Sequence, residues 1–123
     1  TALQSLGEEI AARHGVKTKA VAVDLAQADG PRHLISQLAG LDVGLLVNSA
    51  GFGRGGELVG TDRDEASAMV DVNCRATLEL SHEFGRRFAE RRRGGLVMLS
   101  SIVAFQGVPF SANYAATKAY VQS

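Results

Sequence analysis

Short apolar runs alternate along this chain with longer segments of helical periodicity, and this alternation limits the possible folds more than any other feature. Three runs rich in Val and Leu are typical of buried strands: Ala20–Leu25, Val43–Val47 and Leu96–Leu99. Helical segments precede, separate and follow them. Because parallel strands need crossover connections, the order α-β-α-β-α-β-α predicts an α/β fold. We expect a Rossmann-like, doubly wound parallel sheet of three strands with four helices.

Capping and stop residues mark the ends of the predicted helices. The first helix should end near Gly15 and has no N-cap residue before it. Pro31 suits the first turn of the second helix. The longest helix is predicted over 62–93, with Gly94 as its stop, and the last over 112–122.

Composition excludes several classes of partner. Lys+Arg and Asp+Glu both number 13, so a formal charge of zero gives no support to nucleic-acid binding. Arginine is in local excess over 86–93, and its positive charge suits the negative end of a helix dipole. The single cysteine, Cys74, excludes an internal disulfide and a cysteine-based zinc site, so we expect no metal and a cytoplasmic location. No apolar run approaches the roughly 20 residues of a membrane helix, so we expect no membrane partner.

Small and polar residues follow each predicted strand. Asp24 closes the first, the loop 48–51 (NSAG) follows the second, and Ser100 and Ser101 follow the third. Ligands of open parallel sheets bind at the carboxyl ends of the strands. Small residues there also let a flat ring or a ribose approach the backbone. This edge is therefore the predicted site.

Tyr114 and Lys118 lie one helical turn apart on the last predicted helix, so their side chains should share a face. A nearby cation stabilises a phenolate, as a tyrosine acting as acid and base near neutral pH requires. An exposed amphipathic pair would show the same spacing. Ser101 adds a hydroxyl that could bind a carbonyl oxygen gaining negative charge. Asn73 lies on the apolar stripe of the long helix, where the alternative is a satisfied core amide.

Together these residues resemble the classical short-chain dehydrogenase/reductase family, over essentially the whole chain. The matching positions are Asp24 with Leu25, the loop 48–51, Asn73, Ser101, Tyr114 and Lys118. The resemblance implies an NAD(P)-dependent oxidoreductase that transfers a hydride between a nicotinamide cofactor and a small carbonyl or alcohol substrate. NADP and NAD both fit, and the resemblance alone favours NADP. Ser49 departs from the family, which usually has a second Asn there.

The resemblance also implies a role for each catalytic residue. Tyr114 would donate the proton in carbonyl reduction and accept it in alcohol oxidation. Lys118 would stabilise the phenolate and hydrogen-bond the nicotinamide ribose. Ser101 would orient the substrate carbonyl, and Asn73 would hold, through its main chain, a water in a proton relay from Lys118.

The implied cofactor-binding residues lie at two strand ends. Asp24, followed by Leu25, would bind the adenine amino group. Asn48, Ala50 and Gly51 would line the cofactor cleft, joined by Tyr114 and Lys118 at the nicotinamide end. A second glycine pattern, Gly51 to Gly56, satisfies G-x-G-x-x-G but is followed by non-helical residues, so we interpret it as a flexible loop at the mouth of the site.

Four family features are missing from the sequence: the glycine-rich turn, the first two strands, the strand that follows the tyrosine helix, and the substrate-binding region. We therefore expect residues 1–123 to be a single partial domain, an interior slice that leaves the strands at Asp24 and Asn48 without neighbours. The alternative function is an inactive slice that binds nucleotide weakly or mediates oligomerisation. By the resemblance, a homodimer or homotetramer would form through the helices at 62–93 and 113–123.

A serine hydrolase using Ser100 or Ser101 is the weakest of the alternatives. The sequence has no G-x-S-x-G elbow, which positions the nucleophile of that class. Its three histidines also fall on predicted helices or their ends: His14, His33 and His82.

Overall fold

The computed structural model describes all residues, 1–123. The five α-helices are α1 (Ala2–His14), α2 (Gly30–Gln37), α3 (Arg63–Val70), α4 (Thr77–Arg91) and α5 (Ala112–Gln122). The two strands are β1 (Leu45–Asn48) and β2 (Gly95–Met98). Two 3₁₀ turns (Leu58–Gly60 and Ile102–Phe105) and a π segment (Asp71–Ala76) complete the chain. None of the helices combines the length and the apolar character that crossing a membrane requires.

The two strands pair in parallel. The register runs from Leu45 opposite Gly95 to Asn48 opposite Met98. The helical stretch from α3 to α4 makes the crossover between them, as parallel pairing requires. This arrangement confirms the predicted α/β class in an incomplete form, with a small sheet and a large share of helix.

The strand predicted over Ala20–Leu25 is not formed, and this part of the prediction is wrong. Residues 15–24 have no regular secondary structure, and the sheet contains only β1 and β2. A strand is held by hydrogen bonds to a neighbouring strand, and an unpaired segment has none. The residues of this apolar run favour a strand, but no neighbouring strand is present to pair with it.

The predicted long helix is present, but a π segment interrupts it. The carboxylate of Asp62 caps α3 by accepting a hydrogen bond from the Glu65 N–H at 2.9 Å. The helix ends at Arg91, and Arg92 rather than the predicted Gly94 takes the left-handed conformation at its end, with φ 54°. The fully buried apolar residues of this stretch follow the predicted stripe: Met69, Ala76, Leu80, Phe84 and Phe88.

The core joins α4 to α2 and to β1. Leu80, Phe84 and Phe88 form a buried cluster, and the partly buried residues packed against it are Leu34, Ile35, Leu38, Val43 and Leu46. Burial of each large apolar side chain contributes about 1.5–3 kcal/mol. This cluster fixes the end of β1 and thereby the loop that follows it.

Helix α1 lies outside this core. Thr1 caps it through the Gln4 N–H at 3.3 Å, so the expectation that no residue caps this helix is wrong. Gly15 ends the helix in the left-handed conformation, as predicted, with φ 64°. No residue of α1 is buried, so its apolar residues contribute little to packing within this chain.

Candidate active site

Helix α5 has the predicted bounds and brings Tyr114 and Lys118 onto one face. The Lys118 Nζ lies 5.9 Å from the centre of the Tyr114 ring. Lys118 is only 8% exposed and forms no ion pair. Its ammonium donates one hydrogen bond, to the Leu99 carbonyl at 2.8 Å. Because burial of an unpaired cation is costly, this lysine is unlike an ordinary surface residue.

The main chain of the loop after β1, at Gly51 and Gly53, lies against Lys118 and Tyr114. A Cβ at Gly51 would lie 3.0 Å from Asn73 Oδ1 and 3.6 Å from Lys118 Nζ. A Cβ at Gly53 would lie 2.9 Å from Cδ2 of Tyr114. A side chain at Gly53 would displace the Tyr114 ring and one at Gly51 would press on the Asn73 amide, and the ring of Tyr114 packs directly against the main chain at Gly53.

Asn73 ties this loop to α5. It is 1% exposed. Its Oδ1 accepts from the Phe52 N–H at 3.1 Å, and its Nδ2 donates to the Phe52 carbonyl at 2.9 Å and to Thr117 Oγ1 at 3.0 Å. The amide is thus a satisfied core group, and it also adjoins the Tyr114 and Lys118 pair.

Asn73 stands in the π segment, where the regular helical hydrogen bonds change. The Thr77 N–H donates to the Cys74 carbonyl, three residues back. Such interruptions occur often at functional sites. The sequence predicted an uninterrupted helix here, because the apolar spacing is that of an ordinary α-helix.

Cys74 is the titratable neighbour of Lys118. Burial raises the pKa of its thiol, and the positive charge of Lys118 offsets part of that rise. Its Sγ lies 3.8 Å from the Thr117 carbonyl.

The two serines after β2 have different surroundings. Ser100 Oγ donates to the Lys118 carbonyl at 2.9 Å and so fastens α5 to the strand end. Ser101 precedes the 3₁₀ turn Ile102–Phe105, which packs against α5. Its Oγ accepts a long hydrogen bond from the Val103 N–H at 3.5 Å, which leaves its own proton free to be donated elsewhere.

The predicted cofactor residues of the NSAG loop divide into two groups. Asn48 Nδ2 donates to Ser81 Oγ at 2.9 Å and to Met98 Sδ at 3.3 Å, so this side chain links the sheet to α4. Ala50 and Gly51 are exposed beyond the strand end. The glycines from 51 to 56 lead into a 3₁₀ turn and α3 begins only at Arg63, so they do not open a helix.

Asp24 begins a closed loop that ends at α2. Its Oδ1 accepts from the Ala26 N–H at 2.9 Å, and its Oδ2 from Gln27 Nε2 at 3.3 Å. A Cβ at Gly30 would lie 2.1 Å from the Asp24 carbonyl oxygen, so glycine is required there. The Arg75 guanidinium, from the π segment, faces the carbonyls of this loop: Leu25 (3.5 Å), Ala26 (2.9 Å), Gln27 (3.1 Å) and Ala28 (3.3 Å).

Sequence reasoning missed Gly53 and Arg75. Gly53 stood in a glycine-rich stretch that only indicated a loop. Arg75 has acidic residues one turn away on each side, Asp71 and Glu79, and such spacing is typical of a solvated helix face. Only the folded chain shows that the guanidinium also contacts a distant loop.

Comparison with known proteins gives a consistent family match. The family model for short chain dehydrogenases matches residues 1–123. The very-long-chain 3-oxoacyl-CoA reductase of Pyricularia oryzae is 33% identical over 125 aligned positions, covering 98% of this chain and 38% of the relative.

Solved structures are similar over the same length. A 7beta-hydroxysteroid dehydrogenase structure matches with a TM-score of 0.93 and 30% identity, covering 97% of this chain and 47% of the other. A short-chain dehydrogenase from Sphingobium yanoikuyae, in complex with NADPH, matches with a TM-score of 0.90 and 26% identity over 97% of this chain and 47% of that one. The chain spans 36–47% of the length of the curated relatives that it matches.

Proposed function

This chain belongs to the short-chain dehydrogenase family, and from that premise we propose that it supplies the catalytic centre of an NAD(P)-dependent oxidoreductase acting on a carbonyl or alcohol substrate. The single observation that carries the proposal is the surroundings of Lys118. Lys118 is a buried residue whose ammonium forms no ion pair and lies beside both Tyr114 and the backbone at Gly51. Burying a lysine without a carboxylate partner costs desolvation free energy, and its presence here is typical of a site that stabilises negative charge.

The residues present fit a nicotinamide dinucleotide. The Lys118 ammonium uses one of its three N–H groups on Leu99 and has two left for ribose hydroxyls. The backbone at Gly51 lies within reach and carries no side chain that would block a ribose or a flat ring. Asp24, exposed at the start of its loop, would accept from the adenine amino group. NADP or NAD is proposed, since similar solved structures include complexes with NADPH and with NADH.

In this proposal the reduced nicotinamide, when bound, supplies the hydride. Tyr114 donates its phenol proton to the substrate oxygen as negative charge develops there. The Lys118 ammonium, 5.9 Å from the ring centre, stabilises the phenolate that results. Ser101 donates its hydroxyl proton in a hydrogen bond to the same substrate oxygen.

Lys118 and a water held by Asn73 would bring a proton from solvent back to the Tyr114 phenolate. The main-chain carbonyl of Asn73, in the π segment, would accept a hydrogen bond from a water molecule. Such a water would connect Lys118 to solvent. The side chain of Asn73 meanwhile keeps the loop at Phe52 and the α5 residue Thr117 in place.

A second candidate function is weak nucleotide binding or oligomerisation without turnover. It is favoured by the segment before Asp24, which pairs with no strand. In this case the stretch 62–93 and helix α5 would mediate contacts with other copies.

The test is hydride transfer by a protein in which residues 1–123 are accompanied by the further regions that the relatives carry. It is supplied with NADPH or NADH deuterated at the nicotinamide and with a panel of aldehydes, ketones, 3-oxoacyl thioesters and keto-steroids. We expect deuterium at the carbonyl carbon of at least one product. Cofactor binding without transfer to any carbonyl class would instead support the second candidate.

A further inference from the structure

The Arg75 guanidinium makes contacts that its position on the helix does not predict. Within the helix it pairs with Asp71 at 2.8 Å and with Glu79 at 3.4 Å. Beyond the helix, Nη1 donates to the Ala28 carbonyl, and the two N–H groups of Nη2 face the three carbonyls of residues 25–27, the one of Leu25 being the most distant at 3.5 Å. Arginine suits such an arrangement because its five N–H groups are fixed in a planar fork.

The loop held in this way has little else to hold it. It follows the unpaired segment before Asp24, and its internal bonds are local: Ala26 N–H to Asp24 Oδ1 at 2.9 Å and Gln27 N–H to the Asp24 carbonyl at 3.3 Å. Arg75 connects it to the π segment, and the same segment carries Asn73, which fixes the loop at Phe52. One irregular helical turn therefore positions loops at two separate parts of the candidate site.

We infer that Arg75 is a positioning residue for the adenine side of the cofactor site, acting through the loop Asp24–Ala28. This inference rests on the proposed function, since it takes Asp24 as the adenine contact. Arg75 itself would not touch the nucleotide. It would keep the Asp24 carboxylate at a fixed place relative to Asn73 and Lys118, so that adenine and nicotinamide can be bound together.

The test is hydrogen–deuterium exchange with mass spectrometry on the 123-residue chain, comparing Arg75→Met, Arg75→Lys and the wild type. Peptides covering residues 21–29 should exchange about tenfold faster in Arg75→Met. Arg75→Lys should show an intermediate rate, because lysine keeps the charge without the fork. Peptides of α5 should change little. Arg86→Met is the matched control, since Arg86 pairs with Glu83 and Glu90 on the same helix and contacts no loop carbonyl.

A second arm measures protection by millimolar ADP-ribose and, separately, by reduced nicotinamide mononucleotide. Arg75→Met should weaken apparent ADP-ribose binding about tenfold and leave binding of the mononucleotide unchanged, a split that general destabilisation would not give. Gly30→Ala, which forces a Cβ against the Asp24 carbonyl, should weaken ADP-ribose binding without altering Arg75.

The outcomes separate this inference from the function. Equal exchange at residues 21–29 in Arg75→Met and wild type would overturn the positioning role, whatever the nucleotide result. Equal weakening of ADP-ribose binding and of mononucleotide binding in Arg75→Met would also overturn the positioning role. If neither ligand protects Tyr114, Lys118 or the Asp24 loop in the wild type, the proposed cofactor site is contradicted, and the adenine role of Arg75 fails with it.

Discussion

Asn73 and Lys118 are buried polar side chains, and their hydrogen bonds account for much of the geometry of the site. Asn73 makes three side-chain hydrogen bonds, to Phe52 and Thr117, and lies in the π segment. Lys118 makes one, to Leu99, and has no carboxylate partner. Asn73 therefore holds the loop at Phe52 against α5, whereas Lys118 has two N–H groups left to donate to a ligand.

Replacing Asn73 with Ala should lower the free energy of unfolding by roughly 2–4 kcal/mol, because it leaves the N–H and carbonyl of Phe52 without partners. Urea denaturation followed by circular dichroism measures the change. Asn113→Ala is the control: its amide donates one backbone hydrogen bond, to Ala66 at 3.0 Å, and should cost about 1 kcal/mol. Equal losses in the two variants would show that Asn73 does not hold the loop.

Cys74 should react slowly with alkylating reagents at neutral pH. Burial raises the pKa of its thiol above 9.0, so the reactive thiolate is scarce at pH 7 and grows as pH rises. The rate of iodoacetamide modification against pH gives the apparent pKa. Lys118→Met removes a positive charge that favours the thiolate, so it should shift that profile to higher pH. A shift to lower pH would mean that Lys118 does not act on Cys74.

At the scale of elements, the stretch from α3 to α4 does more than cover the sheet. Its apolar stripe packs on α2 and β1, and its π segment directs Asn73 and Arg75 to different loops. Its exposed face carries ion pairs, among them Arg87 with Glu83 at 2.7 Å and Arg86 with Glu83 at 3.2 Å.

These pairs make the stability of α4 depend on pH. The hydrogen bond from Arg87 lowers the pKa of Glu83 below 4.5, so the folded state favours its ionised form. This contribution is present above the unfolded pKa and is lost as pH falls through the folded value. Urea midpoints should therefore differ less between Glu83→Gln and wild type at about pH 3 than at pH 7. Glu90→Gln is the more exposed control, and an equal pH dependence of its difference would contradict this role for Glu83.

What could be predicted from sequence differs between these elements. Helix α5 and the long helix follow the local spacing of apolar residues, so the sequence predicts their positions closely. The sequence also predicts a strand at Ala20–Leu25, which is not formed, because a strand needs a neighbour that sequence spacing does not reveal. The π segment has no local signal in the apolar pattern.

The same distinction applies to the candidate site. Tyr114 and Lys118 share a face of α5, as their spacing predicts, and Asn73 adjoins them, as the family resemblance implies. The link from Asn48 to Ser81 and the contact of Gly53 with the Tyr114 ring depend on tertiary packing, which the motif does not encode. The roles of these residues in catalysis and cofactor binding remain predictions.

At the scale of the whole molecule, the sheet is small and poorly covered. It has two strands, and each has one edge without a partner. Several apolar side chains of the strands are about half exposed, including Leu45 at 55% and Val47 at 51%. Unpaired edges with exposed apolar side chains favour association with other chains.

We therefore expect residues 1–123 alone to associate, to show no reductase activity and to bind dinucleotides only weakly. A dinucleotide pyrophosphate normally rests on a glycine turn that opens a helix, and Gly51 to Gly56 do not open one. Reduced-cofactor fluorescence and light scattering measure the two properties. A monomer that binds NAD(P)H at micromolar concentration would show that this glycine loop is the phosphate site after all.

Whether Tyr114 is the proton donor is tested by comparing the turnover of Tyr114→Phe with that of Tyr120→Phe, both in a protein of the relatives' length. Both substitutions remove one phenol oxygen from α5, but Tyr120 is 46% exposed and lies outside the cluster formed by Tyr114, Lys118 and Gly53. We expect Tyr114→Phe to lower carbonyl reduction by roughly 10²–10⁴-fold, with the Kd for NADPH little changed, and Tyr120→Phe to leave both unchanged. Retention of more than about a tenth of the activity by Tyr114→Phe would contradict its assignment as the proton donor.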